Sequence, residues 1–455
     1  MDLADFRNQI DEIDQELMAL FRRRMETVEQ IAAYKEQHGL PVYDPQREEE
    51  KRTALLAQLP PALRDDAGAL LTCLFTLSKA HQSRHAAMPR RCGLLGRRLA
   101  HSYSPAIHAR LGSYEYRLFQ REPEELEVFL REGAWDGLNV TIPYKQTVLR
   151  QLDVLSPAAE KIGAVNTITL RDGVLYGDNT DYDGFGKMLS INGIETEGKT
   201  AAVLGTGGAA KAVVAYLLDH GVKRLCLVSR QAHKKPGFEQ PGIEWMEYAA
   251  LPSLKGDILV NCTPVGMYPN TGVSPVDRTV VERFEALVDL IYNPRQTEFL
   301  RLGRLCGKTV CDGLYMLVAQ AVYAAEYFLD RKFEDAPVEI RRITAALRRD
   351  MLNIALIGMP SSGKTTLGRM LAKSLGRTFV DLDEEIVKTD GRSIPDIFAA
   401  EGEDGFRTKE TAETQRFGKE GRQLISCGGG IVKKPENLRA LHQNGVILFI
   451  DRPVD

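Results

Sequence analysis

Apolar residues at Phe6, Ile10, Ile13, Leu17, Leu20, Phe21, Met25, Val28 and Ile31 recur in steps of three and four, and no Gly or Pro interrupts before Gly39 and Pro41. That spacing is one stripe of an unbroken helix. A helix over about residues 3–38 would run roughly 50 Å at 1.5 Å per residue. A small monomeric globule cannot cover such a length, so the stripe is expected to meet a second copy of the chain, giving a homodimer through the N-terminal helices. Pro45, the Pro60-Pro61 pair and Pro89 mark off two more helices, and residues 1–88 show no strand pattern.

From residue 90 the period changes. Strand-like runs (Cys92–Leu95, Leu138–Thr141, Val165–Leu170, Ala201–Leu204, Leu225–Val228, Ile258–Val260, Leu287–Leu290) alternate with helical stretches, which reads as α/β with largely parallel sheets. The length of 90–350 implies two lobes with a seam near Gly193–Gly198: 90–195, then 196–312, then C-terminal helices over 313–350. At Met351 the pattern restarts with a strand over Asn353–Ile357, a Gly-rich turn and a helix, and it stops just after an apolar strand, Val446–Ile450. A parallel sheet needs helices on both faces, so 351–455 is expected to be a partial domain. The fold class is therefore multidomain: an all-α domain, a two-lobed α/β segment, and a partial P-loop α/β domain. No repeat or low-complexity tract appears.

Lys and Arg number 59 against 62 Asp and Glu, a net charge of -3, which argues against a nucleic-acid binder. No run approaches about 18 apolar residues, so no membrane span is expected. The acidic start MDLADFRNQI lacks a basic region ahead of an apolar core, so no secretory leader is expected. The 7 scattered Cys, none in Cys-x-x-Cys, read as free thiols in a reducing cytoplasm.

Three constellations carry chemistry. Gly358-Met-Pro-Ser-Ser-Gly363-Lys364-Thr365 follows a strand and opens a helix, the setting in which backbone N–H groups and a helix N-terminus cradle phosphates. Ser361, Ser362, Gly363, Lys364, Thr365 and Thr366 would bind ATP, and Thr365 with Asp381 would hold Mg²⁺. Asp381 and Asp383 are two apart, and taken alone such a pair caps a helix as readily as it catalyses. Asp451 reads as ordinary, since Asp381 fills the metal role. With the segment EGEDGFR around Arg407 and the Gly428-Gly429-Gly430 run, these residues resemble the shikimate kinase family. The resemblance implies that Asp383, Arg407 and Gly429 hold shikimate. The family's lid arginine, a later substrate arginine and its adenine-side loop would follow Asp455. Phosphoryl transfer here is thus expected to lack a stabiliser of the γ-phosphoryl charge.

Gly205-Thr206-Gly207-Gly208-Ala209-Ala210 after the strand Thr200–Leu204 fits the dinucleotide turn G-x-G-x-x-A. The second strand ends in Val228-Ser229-Arg230, with Lys234 and Lys235 nearby and no acid for a ribose 2′-hydroxyl, which favours the 2′-phosphate of NADP. The other lobe carries His101-Ser-Tyr-Ser104-Pro-Ala-Ile-His108, Asn139-Val-Thr141-Ile-Pro-Tyr-Lys145, Gly163-Ala-Val-Asn166-Thr and Gly177-Asp-Asn-Thr-Asp181. Further on come Asn261-Cys-Thr-Pro-Val-Gly-Met, Asp289-Leu-Ile-Tyr292-Asn-Pro and Asp312-Gly313-Leu-Tyr-Met-Leu-Val-Ala-Gln320. Together these resemble shikimate dehydrogenase across 90–350. The resemblance implies NADPH-dependent reduction of 3-dehydroshikimate, with Lys145 as acid/base and Asp181 as its partner. Ser102 and Ser104 would take the carboxylate, and Thr141, Asn166, Tyr292 and Gln320 the ring hydroxyls. Ser229, Leu290 and Gly313 would complete the cofactor site. Each serine alone would also serve as a plain helix cap. Quinate oxidation is the chemical alternative.

On the long helix, Arg24 and Lys35 are eleven residues apart, within about 20° of one face and separated by about 16 Å of rise, so both could reach one small dianion. Arg7 lies off that face and would serve a site only across a dimer. Asp44, Arg47 and Glu48 open the second helix, and Ser78 and Gln82 share a face of the third. Arg7, Arg24, Lys35, Asp44, Glu48, Ser78 and Gln82 resemble the all-helical chorismate mutase family over 1–86, which implies rearrangement of chorismate to prephenate by fixed charge. The alternative is that the outer segments are binding modules: a dimerising chorismate sensor and a nucleotide-binding remnant.

Overall fold

The computed structural model describes residues 2–38, 45–85, 90–99, 102–112, 114–234, 238 and 240–451. The chain forms two compact units, Met1–Arg90 and Arg91–Asp455. In the first, α1 (Leu3–His38), α2 (Pro45–Ala57) and α3 (Arg64–His85) follow the proline punctuation. α3 packs on both α1 and α2. Val28 on α1 and Phe75 on α3 are buried, whereas Phe6, Ile10, Ile13, Leu17 and Leu20 stand exposed. Among the described residues, the N-terminal half of the stripe therefore has no cover within its own chain.

The second unit contains three sheets. The first comprises β1 (Arg91–Gly96), β2 (Glu115–Gln120), β3 (Gly137–Val140), β4 (Val154–Leu155), β5 (Thr167–Arg171) and β6 (Val174–Asp178), in the order β2-β1-β3-β5-β6-β4. β1 runs parallel to β2 and β3, but β5 is antiparallel to both β3 and β6, so this sheet is mixed rather than largely parallel. The cause is local. Asp172 and Gly173 both have positive φ, 50° and 78°, and a two-residue Asp-Gly turn of that kind joins antiparallel strands with the right twist.

The second sheet is built from β7 (Thr200–Leu204), β8 (Arg224–Val228), β9 (Ile243–Met246), β10 (Ile258–Asn261), β11 (Ala286–Asp289) and β12 (Thr309–Cys311). Its order is β12-β11-β10-β7-β8-β9 and every pair is parallel. This is the doubly wound dinucleotide arrangement, whose ligand lies at the carboxyl ends of the strands beside the β7/β10 switch point. The third sheet, β13 (Asn353–Ile357), β14 (Thr378–Asp381), β15 (Gln423–Ser426) and β16 (Gly445–Phe449), is parallel in the order β14-β15-β13-β16.

The helix Leu314–Leu329 returns from the dinucleotide lobe and packs on the helix Asp181–Ile191 of the first lobe. Cys92, Phe185, Val203, Val260 and Ala325 belong to one buried apolar cluster. That shared core sets the width of the cleft between the lobes. The stretch RRITAALRRD lies in the helix Ala336–Met351, which reaches β13 through Leu352 alone.

Candidate active site

Lys145 follows β3, and its carbonyl is pinned by the Val165 N–H at 2.7 Å. Asp181 is the first residue of the helix Asp181–Ile191. Lys145 Nζ donates to Asp181 Oδ2, with the two side chains 14% and 6% exposed. Asp181 Oδ1 accepts from Asn166 Nδ2 at 3.0 Å, and its N–H donates to Asn179 Oδ1 at 3.1 Å. Asn166 Oδ1 accepts the Thr180 N–H at 2.8 Å, and Thr180 Oγ1 donates to the Gln320 carbonyl at 2.9 Å. Gln320 Oε1 stands 3.5 Å from Asn166 Nδ2. Lys145, Asn166, Asp181 and Gln320 thus form one assembly. Asn179 and Thr180 hold it in place. Both sit inside the Gly177–Asp181 motif but were not singled out from sequence.

The dinucleotide turn faces this pair. Gly205 closes β7 with φ 98°, a conformation that favours glycine. A Cβ on Gly208 would lie 3.1 Å from Lys145 Cβ, whereas a Cβ on Gly207 would meet nothing within 4 Å. Gly207 therefore faces open space, next to Thr206, at the N-terminus of the helix Gly208–Asp219, which also carries Ala209. That is the cradle a pyrophosphate needs, so the residues present fit a dinucleotide. At the end of β8, Ser229 is buried and its Oγ accepts the Gln231 N–H at 3.1 Å. Arg230 is exposed. The Lys234 side chain and Lys235 lie outside the described residues. Gly313 is buried against the Leu290 carbonyl so closely that no side chain fits.

Ser104 is buried and Ser102 half-buried, and the Ser104 N–H donates to Ser102 Oγ at 3.2 Å. Ser102 Oγ thus takes the first N–H of the short helix Ser104–His108 in the manner of a plain cap, whereas the cap position itself is held by Tyr103 without a side-chain bond. Tyr103 between them stands edge-on to Tyr292 at 5.9 Å, which brings the serine loop and the dinucleotide lobe together. Burial pushes the Tyr292 hydroxyl up to about 12, so it stays a neutral donor. Thr141 is half-buried, with its N–H on the Leu95 carbonyl at 2.9 Å. Below it the Tyr116 hydroxyl donates to Asn139 Oδ1 at 2.7 Å, and His108 stacks on Tyr116 at 3.8 Å.

In the third sheet, Lys364 Nζ donates to the Gly358 and Met359 carbonyls at 3.0 and 2.6 Å. Ser361, Ser362 and Gly363 form the loop ahead of the helix Lys364–Leu375, with Thr366 exposed in its first turn. Thr365 Oγ1 donates to Asp381 Oδ2 at 2.8 Å, while Asp381 Oδ1 accepts the Asp383 N–H at 3.1 Å. Asp381 therefore caps the helix Leu382–Asp390 and reaches the P-loop as well. Burial, then the Asp381 charge, raises the Asp383 carboxyl above its ordinary value. Arg407 is gripped by both oxygens of the buried Glu410, at 2.9 and 2.8 Å. A Cβ on Gly428 would press on Asp383 and Glu410, and one on Gly429 on Pro360 of the P-loop. Glu410 was not found by sequence reasoning, whereas Gly428 belongs to the triple-glycine run that was. Among the described residues no group of three or more His, Cys, Asp or Glu is placed to hold a metal ion.

In the first unit Arg24 Nη1 donates to Ser78 Oγ, which joins α1 to α3 at the expected positions. Burial lowers the Arg24 guanidinium below its ordinary value. Lys79, not singled out from sequence, pairs with Glu48 at 3.2 Å. Lys35 is half-buried and Arg7 exposed. Arg7 precedes Arg24 by about 26 Å of helix rise and cannot join the same site in its own chain. Asp44 and the Gln82 side chain lie outside the described residues.

A doubly wound dinucleotide lobe set against a lysine–aspartate pair in a second α/β lobe defines a two-lobed nicotinamide-dependent dehydrogenase. The family model described as shikimate dehydrogenase substrate binding domain matches residues 94–168, that of chorismate mutase type II residues 6–83, and that of shikimate kinase residues 360–455. The shikimate dehydrogenase (NADP(+)) of Clostridium beijerinckii is 46% identical over 251 residues, covering 53% of this chain and 93% of that protein. The chain belongs to the shikimate dehydrogenase family. The crystal structure of shikimate dehydrogenase 1 from Peptoclostridium difficile matches at 42% identity and TM-score 0.54, over 57% of this chain and 97% of that one. A chorismate mutase/shikimate 5-dehydrogenase fusion protein from Clostridium acetobutylicum matches at 40% and TM-score 0.55, over 57% and 98%. The chain is thus a fusion of a chorismate-mutase-like helical segment, a shikimate dehydrogenase and a shikimate-kinase-like segment.

Proposed function

We propose that the second unit interconverts 3-dehydroshikimate and shikimate with NADP(H). The observation that carries this is the buried Lys145–Asp181 pair lying against the Gly208 turn. When bound, the nicotinamide supplies or accepts the hydride. Lys145 Nζ, oriented by Asp181, moves the proton at the substrate oxygen on the same face. Asn166 fixes Asp181, Gln320 and Thr141 orient the ring, and Ser102 with Ser104 hold the carboxylate. The open backbone at Gly207 takes the pyrophosphate, with Arg230 as the counter-charge for a 2′-phosphate. The test is cofactor reduction by the full-length chain offered shikimate or quinate with NADP⁺ or NAD⁺. Rapid turnover of shikimate with NADP⁺ supports the reading. Turnover of quinate alone, or none, rejects it.

The first unit rearranges chorismate to prephenate, with Arg24 on a carboxylate and Lys35 and Gln82 at the ether oxygen. Its exposed stripe supports a homodimer through α1, in which Arg7 enters the other subunit's site. The P-loop segment binds ATP with Mg²⁺ on Thr365 and Asp381. Release of ADP that depends on shikimate assigns it 3-phosphorylation, with Asp383, Arg407 and Gly429 holding the acceptor. Nucleotide binding without that release assigns it the role of a non-catalytic module. All 7 cysteines are free, which supports a reducing, cytoplasmic setting. Among the described residues no helix is long and apolar enough to cross a membrane.

A further inference from the structure

Asn444 precedes β16 in the kinase-like segment and is 3% exposed. Every polar atom of its side chain is used. Oδ1 accepts the Arg295 N–H at 2.8 Å, and Nδ2 donates to Asn293 Oδ1 at 3.0 Å and to the Lys419 carbonyl at 3.0 Å. Two of those partners, Asn293 and Arg295, lie in the turn that follows Tyr292 and leads to the helix Glu298–Leu305. The same turn is tied again by the Gln296 N–H on the Gln443 carbonyl at 2.9 Å. A third tie runs through Tyr268, whose N–H donates to the Asn293 carbonyl at 3.0 Å and whose hydroxyl donates to Glu420 Oε1 at 3.3 Å.

The kinase-like sheet fixes the other end of this contact. The Asn444 carbonyl accepts the Asn353 N–H at 2.8 Å, and Asn353 begins β13, the strand that leads into the P-loop. The helix before β13 reaches the cleft as well, through Arg348 paired with Asp312 at 3.1 Å, next to Gly313. A small cavity between the segments is lined by Tyr292, Arg295, Asp312, Arg348 and Asn444, among others.

We infer that Asn444 is a positioning residue of the dehydrogenase: the kinase-like segment holds the Asn293–Gln296 turn and thereby sets Tyr292 against the substrate. The inference rests on the assignment of shikimate oxidation to the second unit. It gives residues 353–451 a role in that reaction that needs no phosphoryl transfer. A dehydrogenase without such a segment must fix this turn by other means. Removing the Asn444 amide leaves the Arg295 N–H, Asn293 Oδ1 and the Lys419 carbonyl short of hydrogen bonds, and the turn relaxes to recover them.

The test is steady-state oxidation of shikimate by full-length Asn444→Ala beside the unaltered chain, with NADP⁺ binding followed by protein fluorescence and folding by thermal melting. The expected result is a KM for shikimate raised by roughly 3- to 10-fold, the scale of one or two lost hydrogen bonds, with kcat per folded molecule and the NADP⁺ Kd within about twofold of the unaltered chain. A merely structural role would lower the folded fraction and hence the apparent kcat, leaving KM in place. Folded Asn444→Ala with unchanged KM overturns the inference. Should Asn444→Ala fail to fold, Tyr268→Phe decides, because it removes the hydroxyl contact to Glu420 and keeps the Tyr268 N–H on the Asn293 carbonyl. A KM raised about twofold supports the inference, and an unchanged KM overturns it. Failure of the unaltered chain to oxidise shikimate would instead reject the parent assignment.

Discussion

A methyl group placed on Gly208 would stand 3.1 Å from Lys145 Cβ. The first turn of the dinucleotide helix therefore approaches the side chain of the proposed acid/base so closely that a side chain at Gly208 would crowd it. Proton and hydride chemistry need such closeness, because both act on one carbinol carbon and its oxygen. The shared core beneath, in which Phe185 and Ala325 belong to one cluster, keeps the two lobes at that separation.

Gly207 separates cofactor binding from folding. Its φ of -76° suits any residue, and a Cβ there meets nothing within 4 Å. Gly207→Ala is expected to melt with the unaltered chain yet bind NADPH at least about tenfold more weakly, because the methyl enters the space a pyrophosphate would fill. Fluorescence titration with NADPH checks it, and unaltered affinity would mean that the phosphates lie elsewhere.

Much of this was legible in the chain. The apolar period marked the first N-terminal helix and the prolines the next two, and the Gly205–Ala210 turn marked the dinucleotide lobe. Lys145 and Asp181 lie 36 positions apart, so only their motifs, not their spacing, could pair them. β2 was missed because EYRLFQ carries a Glu, an Arg and a Gln and reads as a polar loop, although it pairs along its length with β1. The Asp172-Gly173 hairpin did leave a signal, a pair of turn-forming residues between apolar runs, that was overlooked among parallel units. Asn444 left none, since its partners in the dinucleotide lobe, Arg295 and Asn293, are 149 and 151 residues away and it matters only once the third sheet has docked.

Asp289 gives stability a pH dependence. Burial raises its carboxyl from 3.8 to about 7, against the opposing pull of Thr297, the Ile291 N–H and Asn261. A group whose folded value is raised holds its proton more firmly when folded. Its contribution is fully present below about 3.8 and is lost as pH rises through about 7. The stability difference between the unaltered chain and Asp289→Asn should therefore change steadily across that window, with the unaltered chain losing ground at higher pH. Urea or thermal melting of both proteins at several pH values measures it. A difference independent of pH would place the carboxyl's titration elsewhere.

Arg24 bears on the helical unit alone. Its contact with Ser78 joins α1 to α3, and its charge is the group proposed to meet the substrate carboxylate. Arg24→Ala is expected to lower prephenate formation by about 100- to 1000-fold while shikimate oxidation stays within twofold. Parallel assays of the two reactions on one preparation check it. Equal loss of both would mean that the substitution unfolds the chain rather than emptying a site.

The most direct test of the central claim is kcat for NADP⁺-dependent oxidation of shikimate by Lys145→Ala, with melting temperature and NADP⁺ affinity measured on the same sample. Loss of the proton-transferring amine should lower kcat by about 100- to 10,000-fold, with folding and cofactor binding preserved. A variant that folds, binds NADP⁺ and turns over at the unaltered rate would contradict the assignment of Lys145 and Asp181 as the pair that moves the proton.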